Sequence, residues 1–184
     1  MELGGILLAR HGETDDNLPP QRFQGFTDTP LNDTGRGQAA QLAEKVATDG
    51  IRSLWASDLS RARETAEIVG DRIGLTPALD RRLREASRGR WEGYTFDEIA
   101  DAEPDLYAAW KRAGASFRFP EGESLLDQQT RVTDALAAIH RSGPLPALVV
   151  CHGGSIRVML CARDPRGLDV FHEFDVPNVA VVPL

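Results

Sequence analysis

Two short, unbroken apolar runs, Ile6-Leu7-Leu8-Ala9 and Ala147-Leu148-Val149-Val150-Cys151, constrain this chain more than any other feature. Each has the length of a strand, and neither alternates with polar residues. Both faces of such strands must be covered, which places them inside a sheet flanked by helices. The intervening sequence supplies the helices. Ala39, Leu42, Ala43 and Val46 recur at helical spacing after the turn residues Asn32-Asp33-Thr34-Gly35. Ala62, Ala66, Val69 and Ile73 do the same and stop at Gly74. Leu125, Gln129, Val132, Leu136 and Ile139 mark a longer helix with Ser124 as its N-cap. Ser53–Ala56 and residues 77–80 add strands, a further helix starts at about Ser155, and a last strand lies near 179–182. The pattern predicts an α/β fold, a three-layer α/β/α sandwich on a mostly parallel central sheet.

Residues 86–123 break the rhythm. They hold Gly89, Gly93, Pro104, Gly114, Pro120 and Gly122, with a capping box at Thr95 and Glu98. This segment reads as a helical excursion over the C-terminal ends of the strands. With 184 residues and no linker or repeat, residues 1–184 form one expected domain. There are 21 basic and 28 acidic residues, a net charge of −7, which argues against a general nucleic-acid binder. Cys151 and Cys161 read as buried thiols rather than a disulfide scaffold. The start, Met1-Glu2 with an apolar run ending at Ala9, has the wrong length and flank for a signal peptide. No stretch is long and apolar enough for a membrane span. A cytoplasmic protein without membrane partners is expected.

Both best strands end alike: one runs into Arg10-His11-Gly12, the other into His152-Gly153-Gly154. Ligands of open α/β sheets bind in the crevice beyond the carboxyl ends of the strands, so two parallel central strands would present both histidines there. Arg61 follows the Ser53–Ala56 strand. With Asp58 as N-cap, Arg61 falls in the first turn of a helix, where a cation opposes the dipole unless an anion is bound. Arg10 and Arg61 then offer planar donors to a phosphoryl group. The helix opening at Gly153-Gly154-Ser155 offers backbone N–H groups to the same anion. His140, near a helix end, and His172, among aromatic residues, read as structural. Glu13 and Glu92 read as scaffolding.

The ordered set of segments resembles the histidine phosphatase superfamily, the phosphoglycerate-mutase-like fold. Leu8-Ala9-Arg10-His11-Gly12-Glu13-Thr14 with Asn17 matches its opening signature. Phe23 to Leu31, Ser57 to Ala66, Leu83-Arg84-Glu85 with Trp91-Glu92-Gly93, and Cys151-His152-Gly153-Gly154 resemble the segments that follow. The resemblance implies that His11 is the nucleophile that becomes phosphohistidine and that His152 contacts the transferring phosphoryl group. It implies that Arg10 and Arg61 bind phosphate and that Asn17 borders the phosphate pocket. Glu85 matches the proton donor to the leaving oxygen. Such a donor is expected to have a raised pKa in the empty site.

The chain departs from the family at Glu85-Ala86-Ser87-Arg88-Gly89, where Arg88 stands at a position commonly aromatic. Arg88, Gln24 and Gly25 are candidate substrate contacts. The long basic insertion of authentic cofactor-dependent mutases is missing, which favours hydrolysis. The resemblance thus implies a metal-independent phosphomonoesterase without cofactor. Its substrate would be a small organic phosphate: a sugar phosphate, a phosphoglycerate-type acid, a nucleotide or α-ribazole phosphate. The alternatives are a cofactor-dependent phosphoglycerate mutase and a non-catalytic phosphate-binding module. A protein phosphohistidine phosphatase fits less well, because such members often lack the acidic residue. Many members associate as homo-oligomers, and no residue pattern here fixes the oligomeric state.

Overall fold

The computed structural model describes residues 3–112, 114, 115 and 117–184. Met1 and Glu2, on which the expectation of no signal peptide rested, lie outside the described residues, as do Ala113 and Ser116 of the excursion. Five strands form one sheet: β1 (Ile6–Arg10), β2 (Ser53–Ala56), β3 (Ala78–Leu79), β4 (Ala147–Cys151) and β5 (Val181–Pro183). The order is β3-β2-β4-β1-β5, and only β5 runs antiparallel to its neighbour.

Every residue of β4 is buried, as its unbroken apolar run requires. Its side chains divide between two cores. Leu148 and Val150 lie with Leu42 and Val46 of α1 (Asp33–Val46) and with Ala62, Ala66 and Val69 of α2 (Ser60–Ile73). Ala147, Val149 and Cys151 face the opposite layer. They lie with Val132, Leu136 and Ile139 of α5 (Leu125–Ser142) and with Ile156 and Met159 of α6 (Gly153–Cys161). The result is the three-layer α/β/α arrangement. Leu136 is fully buried, so truncating it to alanine costs about 2–5 kcal/mol. Ser124 caps α5 by accepting the Asp127 N–H, and Gly74 ends α2 in the left-handed conformation.

Two local expectations are corrected. Leu59, not Asp58, is the N-cap of α2. The Asp58 carboxylate instead takes two hydrogen bonds from Arg84, both 2.7 Å, a bidentate geometry worth more than a cap. The last strand starts at Val181 rather than 179, because Val179 sits at φ 54°. There its N–H reaches back to the Arg10 carbonyl at 3.2 Å.

The excursion folds as α3 (Phe96–Ala102) and α4 (Pro104–Arg112) over its own aromatic core. Phe23 lies 5.2 Å from Trp91 and 5.0 Å from Trp110 between ring centroids. Trp91, Phe119 and Phe171 are fully buried beside them. No helix among the described residues is long and apolar enough to cross a membrane.

Candidate active site

The register of β1 and β4 fixes the centre of the site. Ala9 pairs with Val150 and Arg10 with Cys151, so the next residues, His11 and His152, emerge side by side. The His11 N–H continues the ladder to the Cys151 carbonyl at 3.0 Å, and the Ser57 N–H beyond β2 binds the Val150 carbonyl at 3.0 Å. The two imidazole rings are 5.2 Å apart between centroids. The glycine after His11 is required by a close backbone approach, since a β-carbon there would collide with the Gly35 carbonyl.

His11 Nδ1 is 2.6 Å from the Gly12 carbonyl. A carbonyl only accepts, so Nδ1 carries the hydrogen and Nε2 keeps a lone pair. Burial pushes the His11 pKa well below its ordinary value, and the charges of Arg61, His152 and Arg10 push the same way. His11 is therefore a neutral imidazole. His152 Nε2 lies 2.8 Å from the Ser57 hydroxyl, while its Nδ1 is buried without a partner. Burial, and then Arg61, hold its pKa well below the ordinary value too.

A cavity of about 440 Å³ opens beside these residues, and the arginines in its wall are short of partners. Arg10, the last residue of β1, gives Nη1 to the Val176 carbonyl at 2.6 Å, leaving Nε buried and unbonded. Arg61, in the first turn of α2, gives Nη1 to the Thr27 carbonyl and Nη2 to the Gly25 carbonyl, each at 2.9 Å. Its Nε is also buried and unbonded. Burial lowers the Arg61 pKa to about 10, against the pull of Glu85 and other carboxylates. Among the described residues, neither arginine has a carboxylate within ion-pair distance. Buried guanidinium N–H groups without partners point to an anion as their ligand.

Asn17 follows from the single helical turn Asp15–Asn17. Its Oδ1 accepts the Thr14 N–H at 3.0 Å and the Asn178 amide at 3.3 Å, so its own amide N–H groups remain to be given. Asn17, Gln24, Gly25, Arg88 and Gly153 all line the cavity. So do Glu85, His11, Arg10 and Arg61; His152 is fully buried, with its ring 5.2 Å from that of His11.

Glu85 is where expectation and structure part. Its Oε1 accepts the Ala86 N–H at 2.9 Å and the Gln128 amide at 2.8 Å, and its Oε2 accepts the Gly154 N–H at 2.8 Å. Burial alone would raise its pKa. The charge of Arg88, then the donors at Ala86, Gly154 and Gln128, outweigh that and bring it down to about 2. Glu85 is therefore a carboxylate, not a raised acid. The Gly154 N–H is likewise spent on Glu85 rather than free for an anion.

Sequence reasoning passed over several wall and support residues. Gln128 lies on α5, and Arg131, one turn further along, ties down the carbonyls of Arg82, Arg84 and Glu85. Arg157 was findable: it stands four residues after Gly153 and so shares its helix face. His172, read as structural, lines the cavity and contacts the Trp110 carbonyl at 2.8 Å. Asp175 lines it as well and had no sequence signal.

A mostly parallel sheet between helical layers, with a paired-histidine, arginine-rich crevice, defines a class, and sequence comparison names it. The profile of the histidine phosphatase superfamily (branch 1) matches residues 6–184, and the chain belongs to that family. A probable phosphoglycerate mutase of Enterobacter sp. (strain 638) is 39% identical over 150 residues, which cover 80% of this chain and 69% of that one. A glucosyl-3-phosphoglycerate phosphatase of Mycobacterium tuberculosis (strain ATCC 25618 / H37Rv) is 36% identical over 166 residues, 85% of this chain and 74% of that one. Among solved structures, a mycobacterial glucosyl-3-phosphoglycerate phosphatase in complex with VO3 superimposes with a TM-score of 0.85 at 32% identity. That match covers 96% of this chain and 88% of the other. YhfR of Bacillus stearothermophilus gives a TM-score of 0.87 at 31% identity, over 96% and 88% of the two chains.

Proposed function

We propose that the chain is a metal-independent phosphomonoesterase that hydrolyses a small organic phosphate through a phosphohistidine at His11. Residues 1–184 act as one domain, with 86–123 as the cap over its site. The carrying observation is His11 itself: a buried neutral imidazole whose Nε2 lone pair is unused, set beside Arg10 and Arg61 with unbonded N–H groups.

The chemistry divides into two displacements. His11 Nε2 attacks phosphorus, the ester P–O bond breaks, and the leaving oxygen takes a proton from Glu85. Water then attacks the phosphohistidine, Glu85 accepts a proton from it, the P–N bond breaks, and phosphate departs. Arg10, Arg61 and the Asn17 amide hold the phosphoryl oxygens. A Ser57 hydroxyl donating to His152 Nε2 puts the other hydrogen on Nδ1, the atom that lacks a partner, and Nδ1 gives it to the phosphoryl group. Guanidinium charge does here what a metal does in other phosphoryl transfers. Glu85 starts ionised. A phosphate dianion lodged in the same cavity raises its pKa, so the carboxylate takes up a proton as the ester binds.

The test is phosphate release from a panel of phosphomonoesters in excess chelator, with His11→Ala as the comparison. Release that survives chelator and disappears in the variant supports this reading. No release, with conversion of 3-phosphoglycerate to 2-phosphoglycerate instead, would replace it by a mutase. Binding with no turnover at all would leave a phosphate-binding module. A cytoplasmic location fits substrates of this kind.

A further inference from the structure

Five arginines line the cavity; the phosphoryl group accounts for Arg10 and Arg61, and Arg22 gives Nη1 to the Gly93 carbonyl at 2.7 Å. Arg88 and Arg157 remain. Arg88 is buried, with its guanidinium 4.4 Å above the Phe119 ring. Its Nη2 lies 3.4 Å from Glu85 Oε1, but Nη1 is buried and bonded to nothing. Arg157, on α6, rests 5.7 Å above the Phe171 ring. Its Nε is buried and unbonded, and among the described residues it makes no side-chain hydrogen bond or ion pair. Aromatic faces hold both guanidiniums, so neither needs the cavity for support. Leaving such donors unpaired in a buried wall is costly unless a ligand completes them.

Charge arithmetic agrees. Arg10, Arg22, Arg61, Arg88, Lys111 and Arg157 line the cavity, against the carboxylates of Asp16, Glu85 and Asp175. The wall carries three positive charges in excess inside a chain of net −7. A phosphate dianion leaves one unmatched, and protonating Glu85 leaves two. Burial makes Arg88 and Arg10 hold their protons less firmly, and the charge of Arg157 adds to that in both.

We infer that Arg88 and Arg157 form a second anion subsite, taking a carboxylate or second phosphoryl group carried by the alcohol portion of the ester. The inference rests on the phosphatase reading and narrows its substrates to doubly anionic esters. Arg88 then serves two partners: it holds Glu85 in the empty site and turns toward the second anion when substrate binds. Neutral alcohols such as glycerol cannot draw it away.

The test is calorimetric binding to His11→Ala, which lacks the attacking group. The probes are inorganic phosphate, glycerol 3-phosphate, 3-phosphoglycerate and fructose 1,6-bisphosphate. At least one of the last two should bind at least about tenfold tighter than glycerol 3-phosphate, as two charge-assisted contacts predict. Whichever does so names the anion. Adding Arg157→Met should remove most of that advantage while inorganic phosphate affinity stays within about threefold. Arg157 is only partly buried, so this variant keeps its fold where Arg88→Met, in a buried wall, risks losing it. Equal binding of all three esters, or an advantage that survives Arg157→Met, would overturn the subsite. Failure of the phosphatase reading shows separately, as absence of phosphate release by the wild-type chain.

Discussion

The Glu85 carboxylate and the backbone of Gly154 fit together with no room for a side chain between them. Glu85 Oε2 accepts the Gly154 N–H at 2.8 Å, and a β-carbon at position 154 would collide with Oε1. The second of two glycines after His152 is thus a seat for the Glu85 carboxylate. Gly154→Ala should displace Glu85 without touching His11. Alkyl phosphate hydrolysis should fall by about 10²–10⁴, the worth of general acid catalysis. p-Nitrophenyl phosphate, whose leaving group needs no proton, should lose less than about tenfold. Equal losses for both esters would show that Gly154 does not act through Glu85.

Arg61 holds two carbonyls of the 23–31 loop while keeping Nε unbonded. A lysine keeps the charge but cannot reproduce three directed donors. Arg61→Lys should therefore lower kcat/KM by about 10²–10³, the range for loss of a preorganised donor to a transition state. Steady-state kinetics on any accepted ester checks this. A variant within about threefold of wild type would mean that charge alone suffices at this position.

Acid should weaken the fold in a defined order. His11 and His152 both have folded pKa values depressed well below the ordinary 6.5, chiefly by burial. The unfolded chain binds protons that the folded chain refuses. Stability is therefore full above about pH 6.5 and declines as pH falls, by up to about 1.4 kcal/mol per pH unit for each histidine. Glu85, lowered from 4.5 to about 2, adds to the loss only below pH 4.5, as pH falls through its folded value. Urea unfolding at pH 8, 6.5 and 5.5 should show a flat step and then a decline, and His11→Gln should shallow that decline. A wild-type curve flat from pH 8 to 5.5 would contradict the buried neutral histidines.

The sheet and its two helical layers were legible because unbroken apolar strands and helical apolar spacing leave few alternatives. The paired histidines were legible for the same reason, since each ends one of the two central strands. Glu85 was found through its surrounding motif, but its ionisation was not. That depends on Arg88 and on donors from Ala86, Gln128 and Gly154, three separate segments whose convergence is tertiary. Asp58 carried a plausible capping signal, and Arg84 outcompeted the helix for it. His172 and Asp175 line the cavity through the tertiary packing of the segment after α6, which no local pattern encodes.

The most direct test of the account is to trap the enzyme during turnover by alkaline quench, which preserves phosphorus–nitrogen bonds, and to map the modified peptide by mass spectrometry. One added phosphoryl group on His11, absent in His11→Ala, is the predicted result. Active hydrolysis in which no phosphoryl group is ever found on His11, even in Glu85→Gln, whose slowed second step should accumulate it, would contradict histidine catalysis.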